Sequence, residues 1–337
     1  MHAAILLAPR KLEIREIEEP EIGNEDVLVR VRACGICGSD YHAYEGAHPR
    51  VKYPIILGHE FSGVVEKVGS NVRSVREGDR VVVDPNITCG KCFYCRSGRR
   101  HFCEELQSVG INRQGAYAEY VAIPESVVYK IPGNISFEEA CLTEPLACII
   151  HGLDEIGIKV GESAVILGAG FIGLIFLQLL KRIGYSPIIV SEINDFRRSK
   201  AKELGADEVI DPTVDNVKDV VLSMTDGKGA DLVIECTGDV KAFEQSLEIS
   251  APTGRILEFS VMPPNAIAKI KPVAIYKKEL RIVGSFTNPY TMRRSIKLIG
   301  RHIVDLSKLI SIKVNLNGIR DILERKVPNV IKALVIP

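Results

Sequence analysis

Tryptophan is missing from this chain of 337 residues and glutamine is scarce, a depletion of the kind found in heat-adapted proteins. Net charge is missing as well: 43 basic residues balance 43 acidic ones, with no long run of one sign. Polyanions and membrane surfaces are held by accumulated positive charge, so neither nucleic acid nor a membrane is expected as a partner. No apolar stretch has the length of a membrane-spanning helix, because the longest are broken by Gly, Lys or Arg. The start, Met1-His2-Ala3-Ala4-Ile5-Leu6-Leu7-Ala8-Pro9, has no basic segment and only a short apolar run, and acidic residues follow. It reads as a first strand and not as a secretory signal. Nine cysteines in a chain of this size, without such a signal, point to metal ligation in a reducing compartment, and a cytoplasmic protein is expected.

What is present is ample apolar material, 46% of residues, over a length that suits two cores. Up to about residue 83 the apolar residues alternate in short runs: 27–32, 63–68 and 80–83, separated by Gly-Asn, Gly-Asp and Ser-Asn breaks. This is the pattern of an antiparallel or barrel-like β domain, and residues 115–122 continue it. Ser136 and Glu139 have the spacing of a capping box, so a helical stretch is expected after Ser136. From about residue 162 strands and helices alternate. Strands are expected at 164–167, 187–192, 208–210, 231–235, 255–259 and 280–283, with helices at 171–183 and 195–204 among those between them. Six strands with helical crossovers make an α/β doubly wound parallel sheet. After Gly284 one good helix (291–299) and a few short segments remain, too little for a third core; they are expected to return to the first domain.

Gly168-Ala169-Gly170-Phe171-Ile172-Gly173 sits between an expected strand and an expected helix. In that context the first glycine makes the turn, the second admits a pyrophosphate against the backbone, and the third allows close helix–strand packing. The helix N-terminus at Phe171 and Ile172 then offers unpaired N–H groups to the phosphates. Glu192 ends the next strand, 19 residues after Gly173, where a carboxylate accepts ribose hydroxyls and repels a 2′-phosphate. NAD is therefore preferred over NADP. Arg197 and Arg198 nearby are the residues that would hold the extra phosphate; a solvated helix face is their plainer role.

Two further clusters carry metal chemistry. Cys89, Cys92, Cys95 and Cys103 have the spacing C-x2-C-x2-C-x7-C, enough to close a tetrahedral, structural zinc site within the lobe 85–105. Arg96, Arg99 and Arg100 are expected to offset its negative charge. In Gly58-His59-Glu60, an imidazole adjoins a carboxylate, and Cys37 lies twenty-two residues upstream in Cys37-Gly38-Ser39-Asp40-Tyr41-His42. Cys, His and one further acid or thiol make a zinc site with a position left for water or substrate.

These segments, in this order, resemble the zinc-dependent medium-chain dehydrogenases, and the resemblance runs over essentially the whole chain. Cys37-Gly38-Ser39-Asp40 and Glu144-Pro145-Leu146-Ala147 are most similar to the polyol and sugar branch, sorbitol dehydrogenase included. The resemblance implies a GroES-like β-rich catalytic domain over 1–148 and 285–337, a Rossmann domain over 149–284, and an active site in the cleft between them. It implies Cys37 and His59 as catalytic zinc ligands, with Glu60 in or just behind the shell. Ser39 takes the substrate proton toward His42, and Asp40 anchors a ligand from behind. For the remaining ligand, Glu144 matches the polyol branch, whereas Cys148 stands where simple alcohol dehydrogenases place a cysteine. Two zinc ions per chain and NAD are the implied cofactors, and a homodimer or homotetramer the implied assembly. The expected reaction is reversible oxidation of a secondary alcohol of a polyol, sugar or sugar acid. L-threonine 3-dehydrogenase, a simple alcohol dehydrogenase and a non-enzymatic nucleotide-binding protein are the alternatives.

Overall fold

The alternating runs of the first part become an extended sheet. The computed structural model describes residues 1–337. In it the strand Asp26–Gly35 pairs antiparallel with Glu60–Val68 on one side, and Tyr120–Pro124 also pairs with it. The sheet continues outward through Arg80–Val83 to Val128–Lys130. Its inward side chains, among them Val29, Val31, Phe61, Val81, Val121 and Ile123, form one core. A hairpin, His2–Ala8 with Lys11–Glu16, packs on the same core and takes up the short strand Ile55–Ile56.

The C-terminal segments do return to this sheet. Lys332–Val335 pairs antiparallel with Asp26–Gly35, and Ile310–Val314 pairs parallel with Lys332–Val335. Register then has a local consequence: Gly35 lies opposite Glu60 on one side and Leu334 on the other. A Cβ at position 35 would stand 2.1 Å from Glu60 Oε2 and 3.0 Å from Lys332 Cε, so only glycine fits. This unit comprises Met1–Ala147 and Asn288–Pro337.

Two local expectations change. Residues 115–119 are not strand; the ladder begins at Tyr120. The N–H groups of Gly115, Ala116 and Tyr117 donate instead to Ile56, Gly58 and Leu57, which lays this segment across the turn before His59. The helical stretch after Ser136 is also broken in two, Phe137–Ala140 and Thr143–Ile156. Ser136 does form the capping box with Glu139. Pro145 has no N–H to bond the Cys141 carbonyl, so the first helix stops and the proline is accommodated in the first turn of the second.

The second unit, Cys148–Thr287, holds a six-stranded, all-parallel sheet. Its strand order in space is Glu208–Ile210, Ile188–Ser191, Ala164–Leu167, Ala230–Glu235, Ser250–Glu258 and Arg281–Gly284. The central strand Ala164–Leu167 is buried throughout, as a parallel strand covered on both faces must be. Strand order reverses beside it, which is where open α/β sheets bind their ligands. The helix Phe171–Ile183 follows at once and ends at Gly184, whose φ of 98° makes a left-handed C-cap. No helix is long and apolar enough to cross a membrane.

Candidate active site

Cys37 is the N-cap of the short helix Gly38–Tyr44, and His59 and Glu60 lie at the start of the strand Glu60–Val68. One ligand atom from each of Cys37, His59 and Glu60 falls within a common 4.8 Å. Asp40 is fully buried behind them. Its Oδ2 accepts hydrogen bonds from the Cys37 N–H (2.8 Å) and from Tyr117 Oη (2.9 Å), while Oδ1 faces His59 Nδ1 at 3.7 Å. The second imidazole nitrogen, Nε2, is 3.4 Å from Ser39 Oγ and is the one turned toward a metal position. Burial opposes charge on this imidazole, yet Asp40, Cys37 and Glu144 around it hold its pKa well above the ordinary histidine value. Surroundings that retain a proton so firmly equally favour a dication in its place, with the imidazole neutral as a ligand. A thiolate, an imidazole and a carboxylate gathered this closely fit zinc.

Glu60 has a second partner. Lys332, itself buried, places Nζ 2.5 Å from Glu60 Oε2 and donates to the Ile36 carbonyl at 2.9 Å. Burial would lower the Lys332 pKa, but Glu60 and Cys37 beside it leave it raised. Glu144 is buried in the first turn of Thr143–Ile156 and acts electrostatically on His59, but it lies outside the tight three-residue group, as does Cys148 one helical turn on. Ser295 Oγ and Thr291 Oγ1 donate to the Thr143 and Ala147 carbonyls (2.8 Å each), pinning that first turn. His42, three residues after Ser39 on the same helix, is exposed.

The four cysteines of the lobe come together, their sulfurs within 4.8 Å of one another. All are free thiols, and the backbone N–H groups of Cys89 and Cys92 point at the sulfurs of Cys103 (3.3 Å) and Cys89 (3.4 Å). Backbone N–H groups at Cys95 and Glu104 draw the Cys92 thiol down to about 6, whereas desolvation and its neighbouring thiols push Cys95 up to about 12. One thiolate forms readily, and a bound cation stabilises the rest. The set fits a closed, structural zinc site. The arginines divide differently from expectation. Arg99 lies over the Phe93 ring, and Arg100 turns away to the Asn86 carbonyl (3.1 Å) and Asp84 (3.9 Å), so it serves the lobe's anchorage and not its charge.

In the second unit the glycine-rich turn has the required tightness. A Cβ on Gly173 would meet the Gly168 carbonyl oxygen at 2.0 Å. Glu192 is buried at the end of Ile188–Ser191; its Oε2 accepts from the Ala169 N–H (2.7 Å) and its Oε1 from the Asn194 N–H (2.9 Å). The carboxylate thus ties the glycine-rich turn to the end of the neighbouring strand and keeps lone pairs for further donors. Arg198 is fully engaged, donating to the Glu192 carbonyl and pairing with Asp211 and Asp195. Arg197, half-buried, makes no ion pair and is the remaining cation near that position. The turn and its carboxylate fit a dinucleotide.

Comparison with known proteins decides the family. Residues 23–133 match the alcohol dehydrogenase GroES-like domain, and residues 172–301 match the zinc-binding dehydrogenase domain. An L-threonine 3-dehydrogenase from Pyrococcus horikoshii is 39% identical over 79% of this chain and 77% of its own. The chain belongs to the zinc-binding dehydrogenases of the medium-chain superfamily. A sorbitol dehydrogenase from Halalkalibacterium halodurans is 35% identical, covering 88% of this chain and 87% of its own. A zinc-binding dehydrogenase from Sinorhizobium meliloti, solved bound to NADP, superposes with a TM-score of 0.95 at 37% identity over 100% of this chain and 99% of that one. As a member of the family, this dehydrogenase is an oxidoreductase acting on CH–OH groups.

Three parts of the dehydrogenase were not singled out in the sequence. Lys332 and Tyr117 have no motif around them and reach the site only through strand register and a crossing loop. The third is a pair of carboxylates on neighbouring strands, Glu235 opposite Glu258. Glu235 accepts from the Thr237 and Gly238 N–H groups, holding the turn that packs against Gly168, and Ser260 Oγ bridges it to Glu258. Burial, with the neighbouring Glu235 adding to it, pushes the Glu258 carboxyl up to about 7.

Proposed function

We propose that this dehydrogenase oxidises a secondary alcohol of a polyol, sugar or sugar acid to the ketone, reversibly, with NAD. The observation that carries the reading is the Cys37–His59–Glu60 group beside Ser39, with Glu144 in the adjoining helix turn and within electrostatic reach of His59. Cys37, His59 and a carboxylate would hold the catalytic zinc, which when bound makes a coordinated hydroxyl acidic. Asp40, fixed by the Cys37 N–H and Tyr117, sets the imidazole's orientation. Ser39 accepts the substrate's hydroxyl proton and passes it on toward His42, while the Gly168–Gly173 turn and Glu192 would hold the nucleotide, which when bound supplies the hydride acceptor. A hard carboxylate in the shell suits a substrate with two neighbouring oxygens better than a second thiolate would. The lobe cysteines Cys89, Cys92, Cys95 and Cys103 would hold a second, structural zinc.

L-threonine is the second reading, favoured by the identity with the threonine 3-dehydrogenase. Initial rates with sorbitol, xylitol, 2,3-butanediol, a sugar acid, L-threonine and 1-butanol, each under NAD and NADP, separate the readings. Polyols or diols are expected to exceed 1-butanol by a wide margin; L-threonine as the best substrate would replace the polyol reading. Glu192→Ala is expected to raise the Michaelis constant for NAD and narrow the gap to NADP. A wild-type preference for NADP would transfer the role to Arg197. The free thiols suit a reducing, cytoplasmic setting. The assembly is read as a dimer or a pair of dimers formed through the exposed edge strand Arg281–Gly284.

A further inference from the structure

Arg50, Lys52, Gln107, Asn112 and Arg113 line a cavity of about 520 Å³ in the first unit. Three of these five residues are cations and none is an anion. None of the three cations makes an ion pair, although the chain as a whole balances 43 positive against 43 negative residues. Two of the cations, Arg50 and Arg113, are also held in place, and Lys52 is exposed. Arg50 Nη2 donates to the Leu106 carbonyl (3.0 Å) and to Ser108 Oγ (3.3 Å), and its backbone N–H donates to His48 Nδ1 (3.3 Å). Arg113 Nη1 donates to Gln107 Oε1 at 3.3 Å, and Asn112 Oδ1 accepts from the Ser108 N–H at 2.6 Å. Arg50 is half-buried, and desolvation lowers its pKa with no carboxylate to restore it. A partly desolvated guanidinium without a counter-charge costs stability that an anionic ligand returns.

We propose that this pocket binds the phosphate group of a small phosphate monoester. A phosphate dianion presents three peripheral oxygens, one for each of the three cations that line the pocket, and carries close to two negative charges. A carboxylate, with one charge and two oxygens, would leave at least one cation unanswered. The volume falls in the range of small-molecule sites and admits the carbon skeleton of such an ester beside its phosphate. The pocket also adjoins the proton-handling helix: the His48 N–H donates to the His42 carbonyl at 3.2 Å, two residues before Arg50. The phosphate belongs either to the alcohol substrate itself or to a separate phosphate ester, and the chemistry of recognition is the same. The substrate assignment rests on the polyol reading above; the anion site does not.

Zinc-loaded full-length enzyme in a phosphate-free buffer of low ionic strength is titrated with inorganic phosphate, followed by calorimetry and by the unfolding midpoint. Phosphate is expected to bind and to raise the midpoint beyond the effect of chloride at equal ionic strength. Lys52→Ala/Arg113→Ala, which leaves the half-buried Arg50 in place, is expected to weaken that binding by about tenfold or more, the loss of two charge-assisted contacts. Lys241→Ala, an exposed lysine of the other unit, serves as the control and keeps it. Chloride matching phosphate, or the double variant binding phosphate as the wild type does, overturns the site. In a second arm the ratio of kcat/KM for a polyol phosphate over its parent polyol is compared between wild type and double variant. A ratio that falls tenfold places the phosphate on the substrate; an unchanged ratio with phosphate binding lost places it on a separate ester. If neither alcohol is oxidised the polyol reading fails, and the phosphate titration still decides the pocket.

Discussion

Glu60 faces metal-ligating atoms on one side and the Lys332 ammonium on the other, both in a buried setting. With Lys332 as its standing partner Glu60 already has a counter-charge, and Glu144 is the carboxylate proposed above to complete the zinc shell. Glu144→Ala is therefore expected to lose most activity and to release catalytic zinc more readily, with Cys148→Ala nearly neutral. Zinc retention on dialysis against a chelator and kcat check both, and the reverse outcome would move the enzyme to the simple alcohol branch. Lys332→Met strips Glu60 of its counter-ion, and the expected destabilisation of the zinc-free protein is about 3–5 kcal/mol. Zinc should relieve part of that loss by supplying the missing positive charge, so unfolding is compared with and without the metal. Glu258 gives a pH dependence of definite sign. Its carboxyl is raised from 4.5 to about 7 in the folded chain, so its contribution is fully present below pH 4.5 and lost as pH rises through 7. Glu258→Gln, which cannot ionise, should flatten the fall in the unfolding midpoint between those limits and exceed the wild type at pH 8.

Among the elements, the four-cysteine lobe is the one expected to depend on a metal. Its helical pieces are a four-residue helix, Phe93–Arg96, and a single 3-10 turn, Arg100–Phe102, too short to be stable without cross-linking. Cys92→Ser should remove one of two zinc ions, measured by metal analysis, and lower the unfolding midpoint, leaving Cys37, His59 and Ser39 chemically intact. An unchanged zinc count would show that these thiols bind none. Elements bounded by their own chemistry were legible in the sequence. The helix 171–183 has its limits at Gly170 and Gly184, and the two short strands 164–167 and 208–210 stand between clear breaks. The helix after Ser136 was legible at its start, where the capping box sits, but not at its break, which depends on which carbonyl Pro145 fails to bond.

For the whole molecule, the edge strand Arg281–Gly284 leaves its outer hydrogen-bonding groups unpaired, and Val261, Ile267, Val273, Tyr276 and Ile282 are exposed apolar residues of the same unit. A free strand edge is a liability in a monomer and an asset in a two-fold pairing, and exposed apolar side chains are covered by the same means. Light scattering across a dilution series is expected to give a dimer or tetramer mass; a single-chain mass throughout would remove the assembly. Val261→Lys and Tyr276→Lys should shift the equilibrium toward the single chain if this surface is the one covered.

Local chemistry in the sequence was enough to pick out the Cys37–His59–Glu60 group, the four-cysteine group, the glycine-rich turn and the alternation of six strands with helices. In each, ligand spacing or the period of burial is set within a few dozen residues. What only the tertiary structure decided are the partners joined by register. Lys332 reaches Glu60 because the last strand pairs with Asp26–Gly35, and Tyr117 reaches Asp40 because its loop crosses the turn at Gly58. Arg50 likewise shares a pocket with Arg113 because Leu106 and Ser108 hold its guanidinium. Such pairings are made between segments far apart in the chain, and a side chain's sequence neighbours carry no record of which distant strand or loop will be packed against it.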